Sequence, residues 1–240
     1  MNLEQLLHDS RPFLGWLVNW HDSRPTLDLA GLIAEVGGPH RVAVMAVDVI
    51  NGFCHEGALA SPRVGRIVGP VARLFERAYD LGVRHFVLPQ DTHAADAVEF
   101  GSFPPHCVGG TAEAATVPEL QNLPFSHLFT LIEKNSIHAA IGTGLEAWLT
   151  AHPEVTTFLV VGDCTDFCTY QLAMHLRLRA NAFGLREVRV ILPMEGVDTF
   201  DTPLEVAEKL GIMPHPGDLM HLIFLFSMAQ NGVEIVAGVV

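Results

Sequence analysis

Two cysteines four residues apart, Cys164 and Cys168 in "VVGDCTDFCTY", end an apolar run in a chain that has only four cysteines. Such a pair can be a redox couple, half of a metal site, inert core, or a nucleophile with a structural neighbour. The run before them reads as a strand and the stretch after them as a helix, which places Cys168 in a first helical turn. Free backbone N–H groups and the helix dipole there favour an anion. The position therefore lowers a thiol pKa and offers donors to an oxyanion. The competing reading is buried, inert cysteine, because free cysteine is among the most buried residue types.

Asp48 closes the apolar run "RVAVMAVDVI". A carboxylate so placed is partly desolvated, which raises its pKa unless a cation is near, and it can act as base toward a thiol and acid toward a leaving group. For a lone aspartate a turn cap is the commoner role. Lys134, in "LIEKNS", follows another apolar stretch. Beside Asp48 and Cys168 its charge would keep the carboxylate ionised and favour the thiolate, whereas a solvated surface lysine is the default.

A second group lies in "QDTHAADAVEFGSFPPHCVGG", residues 90–110. Asp91 and His93 are two apart, so extended backbone points both the same way. His106 follows a rigid Pro-Pro, and Glu99 lies on the loop between. One or two carboxylates with two imidazoles suit Zn²⁺, Fe²⁺ or Mn²⁺. Loops rich in Asp and His are also common without a metal. Cys107 adjoins His106, and adjacent residues rarely both reach one ion.

These residues need elements to bring them together. Apolar or β-branched runs at 41–50, 83–91, 127–136, 156–164, 186–195 and 233–240 read as strands. Between them, amphipathic or apolar stretches at 65–82, 142–153, 166–182 and 217–232 read as helices. The alternation predicts an α/β fold, doubly wound, with a mostly parallel central sheet flanked by helices. In such a sheet ligands bind outside the carboxyl ends of the strands, where Asp48, Asp91, Lys134 and Cys168 all fall. Residues 1–40 read as an N-terminal helical extension, with its first helix broken at Pro12, and residues 41–240 as the main domain.

Composition narrows the function. The chain has 240 residues, 49% hydrophobic and 17% charged, with a formal net charge of −13. It can bury a large core. Its acidity disfavours nucleic acid and anionic membrane as partners. No apolar run is long enough to span a bilayer, and the N-terminus lacks a signal-peptide pattern, so a soluble, cytoplasmic protein with reduced thiols is expected.

The segments "AVDVINGF", "LPQDTH", "EFGSFPPHCVGGT", "EKNS" and "VVGDCTDFCT", in this order and spacing, resemble the isochorismatase-like cysteine hydrolases, and most of all the nicotinamidases and pyrazinamidases. The resemblance runs from about residue 41 to the C-terminus. It implies a catalytic triad of Asp48, Lys134 and Cys168, and an oxyanion hole from the backbone N–H groups of Cys164 and Cys168. It also implies a divalent metal, zinc foremost with iron or manganese as alternatives, on Asp91, His93 and His106, with Glu99 where some members carry an acidic fourth ligand. In relatives the metal takes the pyridine nitrogen of the substrate. A non-proline cis peptide is implied at Cys164–Thr165.

The implied activity is hydrolysis of nicotinamide, or a similar small carboxamide, to the acid and ammonia through a thioester, as in NAD salvage. Two other readings compete: a hydrolase of the same superfamily acting on an enol ether or carbamoyl compound, and a non-catalytic binding protein on the same scaffold. Ile50 stands where relatives often carry Gln, and the first forty residues lie outside the resemblance. A homo-oligomer is expected, with that extension as a candidate interface or lid.

Overall fold

The structure is a computed structural model that describes residues 2–240. Its first half contains helices α1 (Leu3–Asp22) and α2 (Leu29–Glu35), strand β1 (Val42–Val47), one-turn helices α3 (Asn51–Cys54) and α4 (Pro62–Gly65), helix α5 (Val68–Asp80) and strand β2 (His85–Asp91). One-turn helix α6 (Pro118–Gln121), strand β3 (Phe129–Lys134), helix α7 (Leu145–Ala151) and strand β4 (Thr157–Gly162) follow. Helix α8 (Cys168–Phe183), strand β5 (Arg189–Pro193), helices α9 (Leu204–Leu210) and α10 (Gly217–Gln230), and strand β6 (Glu234–Val236) complete the chain.

The six strands form one parallel sheet in the order β3-β2-β1-β4-β5-β6. Side chains alternate across a strand, and the sheet uses both faces. Val42, Val44 and Ala46 of β1 pack with α2 and α5, in a core that includes Leu29, Phe75 and Phe86. Ala43, Met45 and Val47 pack with α7, α8 and α10, beside Trp148, Leu172 and Leu225. This burial on both sides is why β1 and β4 read as unbroken apolar runs. The expected doubly wound α/β sheet is thus present, and the strand order reverses between β1 and β4, where such folds open a ligand crevice.

Helix α1 runs through Pro12 without a break, contrary to the reading from sequence. Pro12 lies on the exposed side, where water can take the carbonyl that loses its backbone partner. The helix docks by its second half: Phe13, Trp16 and Trp20 pack on Phe226 of α10, and Leu17 is fully buried. The chain then runs alongside the C-terminus. The N–H of Leu27 donates to the Gly238 carbonyl at 2.9 Å, and that of Val240 to Leu27 at 2.9 Å. Among the described residues no helix is long and apolar enough to cross a membrane.

Candidate active site

Four strand ends converge at one edge of the sheet. Asp91 and Lys134 are the last residues of β2 and β3 and pair with each other in the parallel register. Asp48 follows β1 with φ at 56°, a left-handed conformation that aspartate tolerates better than most residues. Its Oδ1 accepts the backbone N–H of Asp91 at 2.8 Å, which joins the two strand ends. Cys168 opens α8.

The Lys134 ammonium lies at the centre. Its Nζ is 2.8 Å from Asp48 Oδ2, 2.5 Å from Asp91 Oδ1 and 3.5 Å from Cys168 Sγ. A carboxylate oxygen of Asp48, one of Asp91 and the sulfur lie within 4.8 Å of one another. Asp48 and Lys134 are closed to solvent at 0% and 1%, while Cys168 keeps 7% of its surface open. Cys168 is therefore the least enclosed residue of the three. Asp48 Oδ2 touches the ammonium but lacks a well-directed hydrogen bond, so it retains a lone pair for another proton.

Burial, then repulsion from Asp91, raises the Asp48 carboxyl to about 6 against the pull of Lys134. It is still ionised at neutral pH. The Cys168 thiol is pushed well above its ordinary range, first by burial, with Lys134 opposing and the two carboxylates adding to the rise. The resting pair is thus thiol and carboxylate. This corrects the expectation of a lowered thiol pKa: the first turn of α8 is buried, and two carboxylates face the sulfur as well as one ammonium.

Neither the backbone N–H of Cys164 nor that of Cys168 donates to a protein acceptor among the described residues. Two free donors beside a thiol suit an oxyanion. The cis peptide in this turn is Asp163–Cys164, one residue before the position implied by the resemblance. Thr165 has instead a trans bond before it and directs its N–H to the Asp198 carbonyl at 3.0 Å. Cys164 is only partly buried, and its sulfur lies 3.7 Å from Asp163 Oδ1.

The second cluster adjoins the first through Asp91. Ligand atoms of Asp91, His93 and His106 lie within 4.8 Å of one another. His93 Nε2 is 3.4 Å from Asp91 Oδ1, and His106 Nε2 is 3.9 Å from Asp91 Oδ2. The far ring nitrogens are engaged elsewhere: His93 Nδ1 with Asn135 Oδ1 at 3.1 Å, and His106 Nδ1 with the Pro104 carbonyl at 2.8 Å. Those outer bonds turn both Nε2 atoms inward, as metal-binding histidines require. His93 Nε2 is buried with no hydrogen-bond partner. An orphaned imidazole nitrogen facing a carboxylate and a second imidazole fits a divalent metal. Glu99 stands off: its Oε1 is 3.9 Å from His93 Nε2, outside the three-residue cluster.

Several neighbours of the site carry no signal in the sequence. Asn135 orients His93 and also accepts the Ala94 N–H at 3.0 Å. Asp163 is fully buried, one oxygen has no partner, and burial and the nearby Asp48 push its carboxyl well up. Phe103 meets both His106 and Phe167 edge-on, so aromatic rings run from the histidine cluster to the residue before Cys168.

The sequence model of the family described as Isochorismatase domain matches residues 42–208. Nicotinamidase 1 of Arabidopsis thaliana is 30% identical over 222 residues, covering 82% of this chain and 86% of the plant protein. A cysteine hydrolase from Pseudomonas syringae pv. phaseolicola superposes with a TM-score of 0.65 at 19% identity, covering 89% of this chain and 93% of its own. The zinc complex of pyrazinamidase from Pyrococcus horikoshii gives 0.61 at 23% identity, over 82% and 98%. The two superpositions show the shared fold.

Proposed function

The chain belongs to the isochorismatase family, and from that premise we propose that it is a cysteine-dependent amidohydrolase converting nicotinamide, or a similarly small carboxamide, to the acid and ammonia. The observation that carries the reading is the buried Lys134 ammonium held between Asp48 and Cys168, with a carboxylate oxygen of Asp48 within 4.8 Å of the sulfur. The matched relative named nicotinamidase supports the choice of substrate.

Asp48 takes the Cys168 proton, and Lys134 balances the negative charge as it passes from carboxylate to sulfur. The sulfur attacks the amide carbon, and the backbone N–H groups of Cys164 and Cys168 hold the oxygen as it becomes anionic. Asp48 then gives its proton to nitrogen, the C–N bond breaks, and ammonia leaves a thioester on Cys168. In the second half Asp48 takes a proton from water, the oxygen adds to the thioester carbon, and the C–S bond breaks to release the acid. The sulfur recovers the proton from Asp48. Asp91, His93 and His106 would hold the metal, which when bound supplies a Lewis-acidic anchor for a ring nitrogen of the substrate.

Ammonia release from nicotinamide, set against small aliphatic amides, carbamoyl compounds and an enol ether, tests the proposal. Nicotinamide turnover that vanishes in Cys168→Ala supports it. Undiminished turnover by that variant removes the sulfur from the mechanism, and a preference for carbamoyl or enol-ether substrates moves the protein elsewhere in its family.

A further inference from the structure

The turn that carries Cys164 and Cys168 is gripped from outside by two histidines near the start of α10. His215 Nε2 donates to Asp166 Oδ2 at 2.7 Å, and its Nδ1 donates to the Phe200 carbonyl at 2.9 Å. Both ring nitrogens therefore face acceptors, an arrangement that suits the imidazolium. Asp166 Oδ1 accepts the Thr199 hydroxyl at 2.6 Å, so both oxygens of this buried carboxylate are used. Six residues on, His221 Nδ1 lies 2.7 Å from the Thr165 hydroxyl. Burial above all lowers His221 to about 4, so its ring is neutral, and its Nδ1 and the Thr165 hydroxyl share one hydrogen bond.

The segment that supplies these histidines is itself fixed. Arg63 donates to Asp198 at 2.9 Å, to Asp218 at 2.6 Å and to the Thr199 carbonyl at 3.0 Å. The His215 ring stacks on Phe200 with centroids 3.9 Å apart. Phe200 in turn stacks on Phe167, the residue before the nucleophile. On the other side of His221, the His21 ring in the last turn of α1 approaches edge-on at 6.1 Å. None of these side chains reaches Cys168, Asp48 or Lys134, so they belong to the support of the site.

Resting on the cysteine-hydrolase reading above, we propose that His215 and His221 are positioning residues: by holding Asp166 and Thr165 they fix the turn whose backbone N–H groups receive the oxyanion. A displaced turn weakens the bonds that form as the carbonyl oxygen gains charge and leaves ground-state binding nearly intact. The defect therefore falls on kcat, with KM largely spared.

The test compares wild type with His215→Leu, His215→Gln, His221→Leu and Thr165→Val, each shown to be folded by circular dichroism. Steady-state kinetics use whichever amide the wild type hydrolyses best. Deuterium exchange is followed at the amides of Thr165, Phe167 and Thr169, which the turn holds by bonds of 3.0–3.2 Å. His215→Leu should lower kcat by about tenfold or more, the scale of a misplaced oxyanion donor, with KM within about threefold. It should also speed exchange at those three amides by about tenfold, the size of one lost hydrogen bond. Glutamine can still donate to Asp166, so His215→Gln should recover most of both losses.

If His215→Leu fails to fold, His221→Leu and Thr165→Val carry the same two readouts from the second contact. A folded leucine variant with wild-type kcat, or with faster exchange spread evenly over the chain, overturns the proposal. So does a glutamine variant as impaired as the leucine one. A wild type inactive on every amide would sink the hydrolase reading instead, and exchange at the three amides would then decide the positioning role alone.

Discussion

At the scale of single residues, the site is a matter of where one proton rests. Lys134 meets two carboxylates and a sulfur in a space closed to water, where an ionised group persists only if paired. With burial raising Asp48 to about 6, a pH dependence follows. Asp48 must be ionised to accept the thiol proton, so kcat/KM should be flat near neutrality and fall as pH drops through about 6. The profile of the metal-loaded enzyme checks it, and a limb near the ordinary carboxylate value would show that another group limits the rate. Asp48, Lys134 and Cys168 were legible in the sequence because each follows an apolar run, and a parallel sheet sends such positions to one edge. Asp166, His215 and His221 were not. Their roles come from contacts between segments some 50 residues apart, and a histidine beside proline or in an apolar helix has the same surroundings in sequence with or without such a partner.

At the scale of elements, β1 and β4 set the geometry that the residues use. Their pairing runs from Val42 with Thr157 to Val47 with Gly162. Gly162 has φ at 117°, and a Cβ there would lie about 2.0 Å from the Val47 carbonyl oxygen. Gly162→Ala should therefore combine a strained backbone with a clash no flexible side chain can relieve, costing about 3 kcal/mol or more. Urea unfolding monitored by tryptophan fluorescence measures the loss, and a cost under about 1 kcal/mol would mean the strand ends can part. The strands were readable because burial on both faces leaves continuous apolar runs. The one-turn helices α3, α4 and α6 were not, since a single turn is too short for a period to show. Pro12 misled for a different reason, since the rule against proline inside a helix weakens where water can reach the freed carbonyl.

At the scale of the whole molecule, the N-terminal helix is the feature least explained by a single chain. Leu3 and Leu7 are 66% and 54% exposed, and Trp16, which packs on Phe226, is still 49% exposed. Large contiguous apolar patches mark interaction sites, and the homo-oligomer expected from the sequence would use this helix as its interface. Light scattering coupled to size exclusion should report a mass above the 26.1 kDa of one chain, and replacing Leu3 and Leu7 with glutamate should reduce it. A monomer at working concentration would leave α1 as a cover for α10 alone. A last consequence concerns Asp91, whose one oxygen meets the ammonium while the carboxylate also faces both histidines. The proposed catalytic cluster and the candidate metal cluster thus hold one side chain in common. A substitution at Asp91 should therefore disturb the lysine's charge balance and the histidine cluster together.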